Sequence, residues 1–328
     1  MKKEFQLCYN FPQENFSFRI MLNGAKLKII FIDNLIHNFK WLKIFAPQID
    51  ETFLFVVTLG CYYSDGLVIN CNEMFEYLNL NKNNFYILYN TEEDQSKFSK
   101  FGFKGTLCNN NCWLDENCYK ILDLEKKYNA IMVSRAISVK RHYLAREVQN
   151  LALVTNGINV DEPHGEIELP PHVYNNLYHL PTNKVNELIC QSFCGLILSA
   201  EEGACYASSE YLLCGIPVVS TYSKGGRDVW YTNYNSVIVE PDEKEIALAV
   251  DQLLFAKKDP QEIREDHIKK SKNYREKIFN ILQRVVDSRY KKLDFRELFY
   301  YKFKNKLHDY TNEWDFDKVF KTFDYVDF

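Results

Sequence analysis

Short apolar and β-branched runs alternate with polar, helix-forming stretches along most of this 328-residue chain. In the first third, strands are predicted at residues 28–33, 52–59 and 85–89, and a helix is predicted at residues 72–78. Strands that are joined by helices pair as parallel neighbours, because the helix carries the chain back to the edge where the previous strand began. The alternation therefore predicts an α/β fold built on parallel, helix-covered sheets.

The second half of the chain repeats the same β-α pair. Strands are predicted at 130–133, 152–155, 195–199 and 218–221, and a short one near residue 177. Helices are predicted at 143–151, 185–193, 204–214 and 242–254. Repeated pairs of this kind favour a doubly wound sheet. The polar, turn-prone residues 108–118 are interpreted as an interdomain connection. We therefore expect domains at 1–118 and 119–257, followed by C-terminal helices at 258–328.

The composition describes an ordinary globular chain that has room for two cores. Hydrophobic residues make up 46% of the sequence and charged residues 26%. The net charge of −4 gives no overall attraction to nucleic acid. The ten cysteines include no C-x-x-C pair, which favours buried, reduced thiols over a zinc site or a disulfide framework.

Sequence features that direct a protein to a membrane or out of the cell are weak. Lys2 and Lys3 are followed by the polar residues Glu4 and Asn10 instead of the apolar core of a signal peptide. The longest apolar run, residues 53–59, is far below the ~20 residues that a membrane helix needs. We expect a cytoplasmic protein, with contact at a membrane surface left open.

The richest segment for function is residues 199–221, which read S-A-E-E-G-A-C-Y-A-S-S-E-Y-L-L-C-G-I-P-V-V-S-T. Gly203 precedes a predicted helix, whose free N–H groups suit a phosphate. Glu202 and Glu210 are carboxylates, which accept hydrogen bonds from sugar hydroxyls well. Together these features suggest a nucleotide-sugar.

A second cluster lies upstream, at the carboxyl end of the strand predicted at 130–133. Arg135 and Lys140 follow that strand, at the edge where open α/β sheets usually bind ligands. Arg grips phosphate oxygens with two nitrogens, while Lys acts as a point charge. Arg141 comes next and is interpreted as solvent-exposed.

The two clusters together resemble the retaining GT-B glycosyltransferases of the family-4 type, also called glycosyl transferases group 1. The resemblance covers residues 130–255 and is carried by Arg135 with Lys140, Ser199, Glu202-Gly203, Glu210, the G-I-P-V-V run from Gly215, Gly225-Gly226, Asn235, and the V-I-V-E-P-D run from Val237. It implies GT-B architecture, in which two Rossmann-like domains face a cleft. A helical C-terminal extension would return in part to the N-terminal domain.

The resemblance also implies roles for these residues. Arg135 and Lys140 would neutralise the donor's diphosphate, Glu202 would hold the sugar, and Glu210 would bind the ribose. Substrate contacts would come from Gly203, Ala204, Cys205, Gly225 and Gly226, with Lys224 or Arg227 as possible additions. The family's second glycine is replaced by Cys205. A helix N-terminus would lower the pKa of this thiol, although a small packing residue is the favoured interpretation.

The implied activity is sugar transfer from a nucleotide-diphosphate sugar to a glycan, lipid-linked or protein acceptor, with retention of configuration. The sequence predicts no cofactor and no metal, because its D-x-D spacing, at Asp315 and Asp317, falls in the tail. The acceptor side would be residues 1–118. There, His37 and Asp33 are equal candidates for a group that acts as a base on the acceptor or positions it. Two alternatives are a nucleotide-sugar epimerase and a sugar-binding scaffold within a glycan-assembly complex.

Residues 269–306 hold thirteen Lys or Arg against four acids, with aromatic residues between them. One interpretation is a solvated helix face whose aromatic side chains cover the N-terminal domain. A second is contact with an anionic membrane surface, where each basic residue contributes ~1 kcal/mol. Nucleic acid is the least favoured partner.

Overall fold

The computed structural model describes residues 17–155, 167–307 and 311–312. The chain divides into two compact units. Unit 1 comprises Met1–Trp113 and Asn273–Phe328, and unit 2 comprises Leu114–Lys272. The first boundary, after Trp113, lies a few residues before the one expected after residue 118. The second, after Lys272, lies about fifteen residues beyond the one expected after residue 257.

Unit 1 is built on a six-stranded sheet in the order β12-β1-β2-β3-β4-β5. Its strands are β1 (Ser17–Asn23), β2 (Lys28–Asp33), β3 (Phe53–Thr58), β4 (Phe85–Tyr89), β5 (Lys104–Leu107) and β12 (Thr311–Asn312). Strands β2 to β5 are parallel, while β1 runs antiparallel to both β2 and β12. The strands predicted at 28–33 and 85–89 are thus confirmed to the residue.

Three helices connect the parallel strands of unit 1: α1 (Phe39–Phe45), α2 (Asp65–Leu78) and α3 (Glu92–Ser99). Helix α2 starts earlier than predicted because the Ser64 side chain caps its first turn. The strands follow one another in a single direction from β2 to β5, and crossovers of this type are right-handed. All three helices therefore cover the same face of the sheet, where Phe55, Phe75 and Phe85 form a buried aromatic core.

The opposite face of this sheet is covered by other parts of unit 1. Phe31 of β2 packs against Trp113 and against Phe299 of α8 (Phe295–Lys302), and all three side chains are fully buried. Residues 109–113, predicted as a polar connection, are likewise buried. The boundary between the two units, after Trp113, nevertheless lies inside the connection predicted at 108–118, and Trp113 itself packs on the sheet through Phe31.

Unit 2 contains a parallel six-stranded sheet in the order β11-β10-β9-β6-β7-β8. Its strands are β6 (Tyr128–Val133), β7 (Leu151–Val154), β8 (Tyr174–Asn175), β9 (Ser192–Ile197), β10 (Val218–Thr221) and β11 (Ser236–Val239). The chain winds outward from β6 to β8, then returns to β9 and winds the other way. This is the doubly wound order predicted for the second half, and it reverses between β6 and β9.

The helices of unit 2 are α4 (Thr182–Cys190), α5 (Tyr206–Leu213), α6 (Glu243–Phe255) and the first half of α7 (Pro260–Asp287), which continues into unit 1. The helix predicted at 143–151 is wrong, since only one short 3₁₀ turn, His142–Ala145, forms there. Arg141 and Asn150 both have positive φ, which interrupts a helix at each end. Across the described ranges, every helix is too short or too polar to cross a bilayer.

Candidate functional site

The candidate site lies at the carboxyl edge of the unit 2 sheet, at the point where the winding reverses. Residues 134–141 follow β6, and residues 198–205 follow β9, its direct neighbour in the sheet. In open α/β sheets, ligands bind in the crevice at this reversal. The two clusters singled out from the sequence therefore lie on neighbouring loops at the position where a ligand is expected.

Lys140 and Glu202 form an ion pair across these two loops. The Lys140 Nζ donates a hydrogen bond to Glu202 Oε1, and the side chains are only 17% and 14% exposed. Partial burial weakens solvent screening, so each charge strongly fixes the position of the other. The site therefore presents one ammonium and one carboxylate side by side, each with hydrogen-bonding capacity left for a ligand.

Backbone hydrogen bonds tie the β9 loop to the loop that follows β10. Glu202 N donates to Lys224 O at 3.0 Å, and Gly226 N donates to Gly203 O at 2.7 Å. Gly225 has φ of 97°, a conformation that side-chain-bearing residues rarely adopt. These contacts bring Gly203, Gly225 and Gly226 together beside the ion pair.

Cys205 takes the position of the family's missing glycine. Its φ of 58° and ψ of 87° place it in the left-handed region, and helix α5 starts only at the next residue. Burial raises the pKa of the Cys205 thiol to about 12, and the nearby Glu202 carboxylate adds to the rise. The lowered pKa expected at a helix N-terminus is therefore wrong, because desolvation opposes the thiolate. Neighbouring Ala204 is buried.

Glu210 lies in the second turn of α5 and is only 3% exposed. Its carboxylate accepts a hydrogen bond from the Tyr119 hydroxyl, also within unit 2. Burial and the Glu210 charge both raise the pKa of Tyr119, so this hydroxyl keeps its proton. The structure thus gives Glu210 a protein partner, at a depth in the fold that the sequence did not indicate.

The basic residues around the site point in different directions. Arg135 is exposed, in the same loop as Lys140. Arg141, interpreted as solvent-exposed, instead donates hydrogen bonds to Leu198 O and to Thr221 Oγ1. Its positive φ of 51° turns the chain so that its side chain reaches these neighbouring strand ends.

Arg227, a possible substrate contact from the sequence, is fully buried. It donates hydrogen bonds to the carbonyls of Ser199 and Thr221 and to the Asp228 carboxylate. These contacts hold the ends of β9 and β10 together, so Arg227 supports the loops. Lys224 is exposed and pairs loosely with Glu201 at 3.4 Å.

Two further residues at this edge were missed by the sequence reasoning. Ser134 Oγ and His142 Nε2 are 3.0 Å apart, and His142 is only 1% exposed. Burial, with a smaller contribution from the Lys140 charge, lowers the pKa of His142 to about 4, so the ring is neutral near pH 7. Their position in the sequence could have indicated them, because Ser134 precedes Arg135 and His142 follows Lys140 by two residues.

Within residues 17–155 and 167–307, no group of three or more His, Cys, Asp or Glu side chains could hold a metal ion. The D-x-D pair of Asp315 and Asp317 lies outside the described residues. Metal-independent chemistry therefore stays a prediction.

No protein-family model matches the chain, and no curated protein sequence matches it. Solved structures do resemble it. HepE from Anabaena, in complex with UDP, has a TM-score of 0.52 at 14% identity, covering 70% of this chain and 72% of that one. Sucrose-phosphate synthase from Thermosynechococcus elongatus reaches 0.56 at 12% identity, covering 79% and 74%. A UDP-forming trehalose-phosphate synthase from Burkholderia xenovorans reaches 0.54 at 12% identity, covering 78% and 73%. This likeness confirms the GT-B fold.

Proposed function

We propose that this chain is a glycosyltransferase that uses a nucleotide-diphosphate sugar as its donor. The observation that carries the proposal is the Lys140–Glu202 ion pair at the reversal point of a doubly wound sheet. A diphosphate requires cationic donors, whereas a sugar requires hydroxyl acceptors. Few other ligands would need both groups side by side at the carboxyl edge of such a sheet.

The ion pair suggests how the donor binds. Lys140 and Glu202 satisfy each other in the free protein, so a donor must offer each a better partner. Phosphate oxygens would accept hydrogen bonds from Lys140 and from the exposed Arg135. Sugar hydroxyls would donate hydrogen bonds to the Glu202 carboxylate. The backbone of Gly203, Ala204, Cys205, Gly225 and Gly226 would line the same ligand. Glu210 is proposed to bind the ribose, in exchange for its contact with Tyr119.

In the proposed reaction, the bond between the anomeric carbon and the diphosphate oxygen breaks as the bond to the acceptor oxygen forms. Negative charge then accumulates on the diphosphate, and Lys140 and Arg135 stabilise it. Cationic donors aimed at developing charge are worth about 2.7–4 kcal/mol each. The departing phosphate accepts the acceptor's proton, so transfer with retention needs neither a separate protein base nor a metal.

Unit 1 is proposed to recognise the acceptor, a glycan, a lipid-linked sugar or a protein. Asp33 ends β2 at the carboxyl edge of the unit 1 sheet, and its side chain is 32% exposed. Arg19 and Thr58 both donate hydrogen bonds to its carboxylate. A carboxylate held in this way can accept further hydrogen bonds from acceptor hydroxyls.

Contact with an anionic membrane surface, through residues 269–306, is proposed for a lipid-linked acceptor. Phe279, Phe295 and Phe299 in this stretch are buried in unit 1, as one of the sequence interpretations expected. Tyr301 remains 87% exposed, and Lys291 and Lys292 are also exposed. These three side chains are among the exposed groups of the segment that a membrane would contact, and Arg289 and Arg296 are exposed as well.

The proposed function is tested first by binding and then by turnover. Several structural neighbours are described with UDP, so UDP and UDP-glucose are the first probes for calorimetry, followed by the corresponding ADP and GDP compounds. We expect Lys140→Ala to weaken UDP binding at least tenfold and to abolish nucleotide release in the presence of acceptor sugars. The control is Lys184→Ala, which removes an exposed lysine elsewhere in unit 2.

The possible outcomes separate the alternatives. An epimerase would convert the donor without any acceptor, and a scaffold would bind sugars without releasing nucleotide. If the wild-type chain binds none of the nucleotides, the proposal fails. It also fails if Lys140→Ala and Lys184→Ala behave alike.

A further inference from the structure

Ser134 and His142 form a hydrogen-bonded pair that the proposed roles of Arg135, Lys140 and Glu202 leave unused. Ser134 is the first residue after β6, at the reversal point of the unit 2 sheet. Its Oγ lies 3.0 Å from His142 Nε2, and among the described residues no other hydrogen bond to this hydroxyl is seen. His142 is 1% exposed and follows Lys140 by two residues. A buried imidazole thus holds a hydroxyl at the ligand-binding edge.

The surroundings of His142 decide which of its nitrogens carries the proton. With its pKa lowered to about 4, the ring is neutral near pH 7 and holds one N–H. Nδ1 is buried and has no hydrogen-bond partner within the part of the chain that the structure describes. Buried N–H groups without acceptors are rarer than buried acceptors without donors. This favours the tautomer with its proton on Nε2, in which Nε2–H donates to Ser134 Oγ.

This arrangement leaves the hydroxyl proton of Ser134 available. A serine hydroxyl has one donor and two acceptor positions, and the histidine uses one of the acceptor positions. The hydroxyl therefore keeps its proton for a ligand bound at the loop that it shares with Arg135 and Lys140. An anionic oxygen is the acceptor best suited to a site with these cations.

We propose that the Ser134 hydroxyl donates a hydrogen bond to a phosphate oxygen of the donor, and that His142 is the positioning residue that fixes its direction. This inference rests on the proposed function, since it adds a neutral ligand to the same diphosphate site. A hydrogen bond to a charged group contributes enough that its loss weakens binding about tenfold or more.

The experiment measures dissociation constants by calorimetry, with inorganic pyrophosphate and UDP as probes. We expect Ser134→Ala to weaken both about tenfold. His142→Leu, which removes the donor, should weaken them equally, and the double variant should be no weaker than either single one. His142→Gln, whose amide N–H can replace Nε2–H, should recover most of the affinity. Ser192→Ala, a buried serine at the opposite edge of the same sheet, is the matched control.

The results distinguish this inference from the proposed function. If wild type binds pyrophosphate and UDP but Ser134→Ala binds them equally well, the inference is overturned and the proposed function stands. Additive losses in the double variant, or no recovery with Gln, would reduce His142 to a packing role and also overturn it. If wild type binds neither these probes nor the ADP and GDP compounds, both fail. Circular dichroism of each variant checks that the fold is retained.

Discussion

Single residues at the carboxyl edge of unit 2 show how local backbone geometry shapes the candidate site. The sequence indicated a missing glycine at Cys205, and the structure shows that this residue adopts the left-handed conformation that a glycine would take. Arg227 shows the opposite case, since a residue that looked like a ligand contact is buried against strand ends. The missing glycine therefore marked a position with an unusual backbone, whereas residue type did not indicate that the Arg227 side chain is buried.

The strain at Cys205 can be measured by comparing two substitutions. Left-handed backbone costs a residue with a side chain about 1–2 kcal/mol, and glycine is largely free of this cost. We expect Cys205→Gly to be more stable than Cys205→Ala by about 1 kcal/mol, because both remove the thiol and only one relieves the strain. Pulsed hydrogen–deuterium exchange in urea, read from unit 2 peptides, measures the difference. Equal stabilities, or a more stable Ala variant, would contradict the prediction.

Among the elements, the C-terminal helix α8 supplies the aromatic cover of unit 1 that one interpretation of residues 269–306 expected. Its Phe299 packs on Trp113 and Phe31, which lie 186 (299 − 113) and 268 (299 − 31) residues earlier in the chain. The one-directional winding of β2 to β5 places α1 to α3 on one face and leaves the other face for this helix. Sequence periodicity identified α8 poorly, because most of its residues are polar or exposed.

This packing gives a prediction with a control on the same helix. Replacing Phe299 by Ala removes a fully buried ring, which should destabilise unit 1 by about 3–5 kcal/mol. Tyr301→Ala removes a ring of similar size that is 87% exposed, and should change stability by less than about 0.5 kcal/mol. Urea-induced unfolding, followed in unit 1 peptides, compares the two. Similar effects for both would show that α8 does not cover the sheet as described.

For the molecule as a whole, both units carry a histidine whose pKa is lowered by burial. These are His37 in unit 1 and His142 in unit 2. A lowered folded-state pKa means that the unfolded chain binds protons first as the pH falls below about 6.5. Stability is therefore highest above that pH and declines in both units on acidification.

The decline should be measurable in unit 2 between pH 6.5 and 4. With a folded-state pKa of about 4, His142 alone accounts for about 3 kcal/mol of lost stability across this range. His142→Gln should flatten the decline, while replacing the exposed His179 by Gln should leave it unchanged. Unfolding in urea at stepped pH values tests this. An equal decline in wild type and His142→Gln would contradict it.

The order of the β-α units, the doubly wound half and the loops that carry Lys140, Glu202 and the glycines could all be predicted from local sequence patterns. These features follow from periodicity, turn residues and strand ends, which act over a few neighbouring residues. Strands 28–33 and 85–89 could be placed to the residue for this reason.

Contacts between side chains could not be predicted in this way, because they depend on the folded chain. Lys140 and Glu202 are 62 residues apart in the sequence, and their pairing depends on β6 and β9 becoming neighbours. The inward direction of Arg227, the contact between Ser134 and His142, and the covering of unit 1 by α8 likewise depend on what surrounds each group after folding. Burial and hydrogen bonding join residues that are distant in sequence, so those residues set the final direction of each side chain.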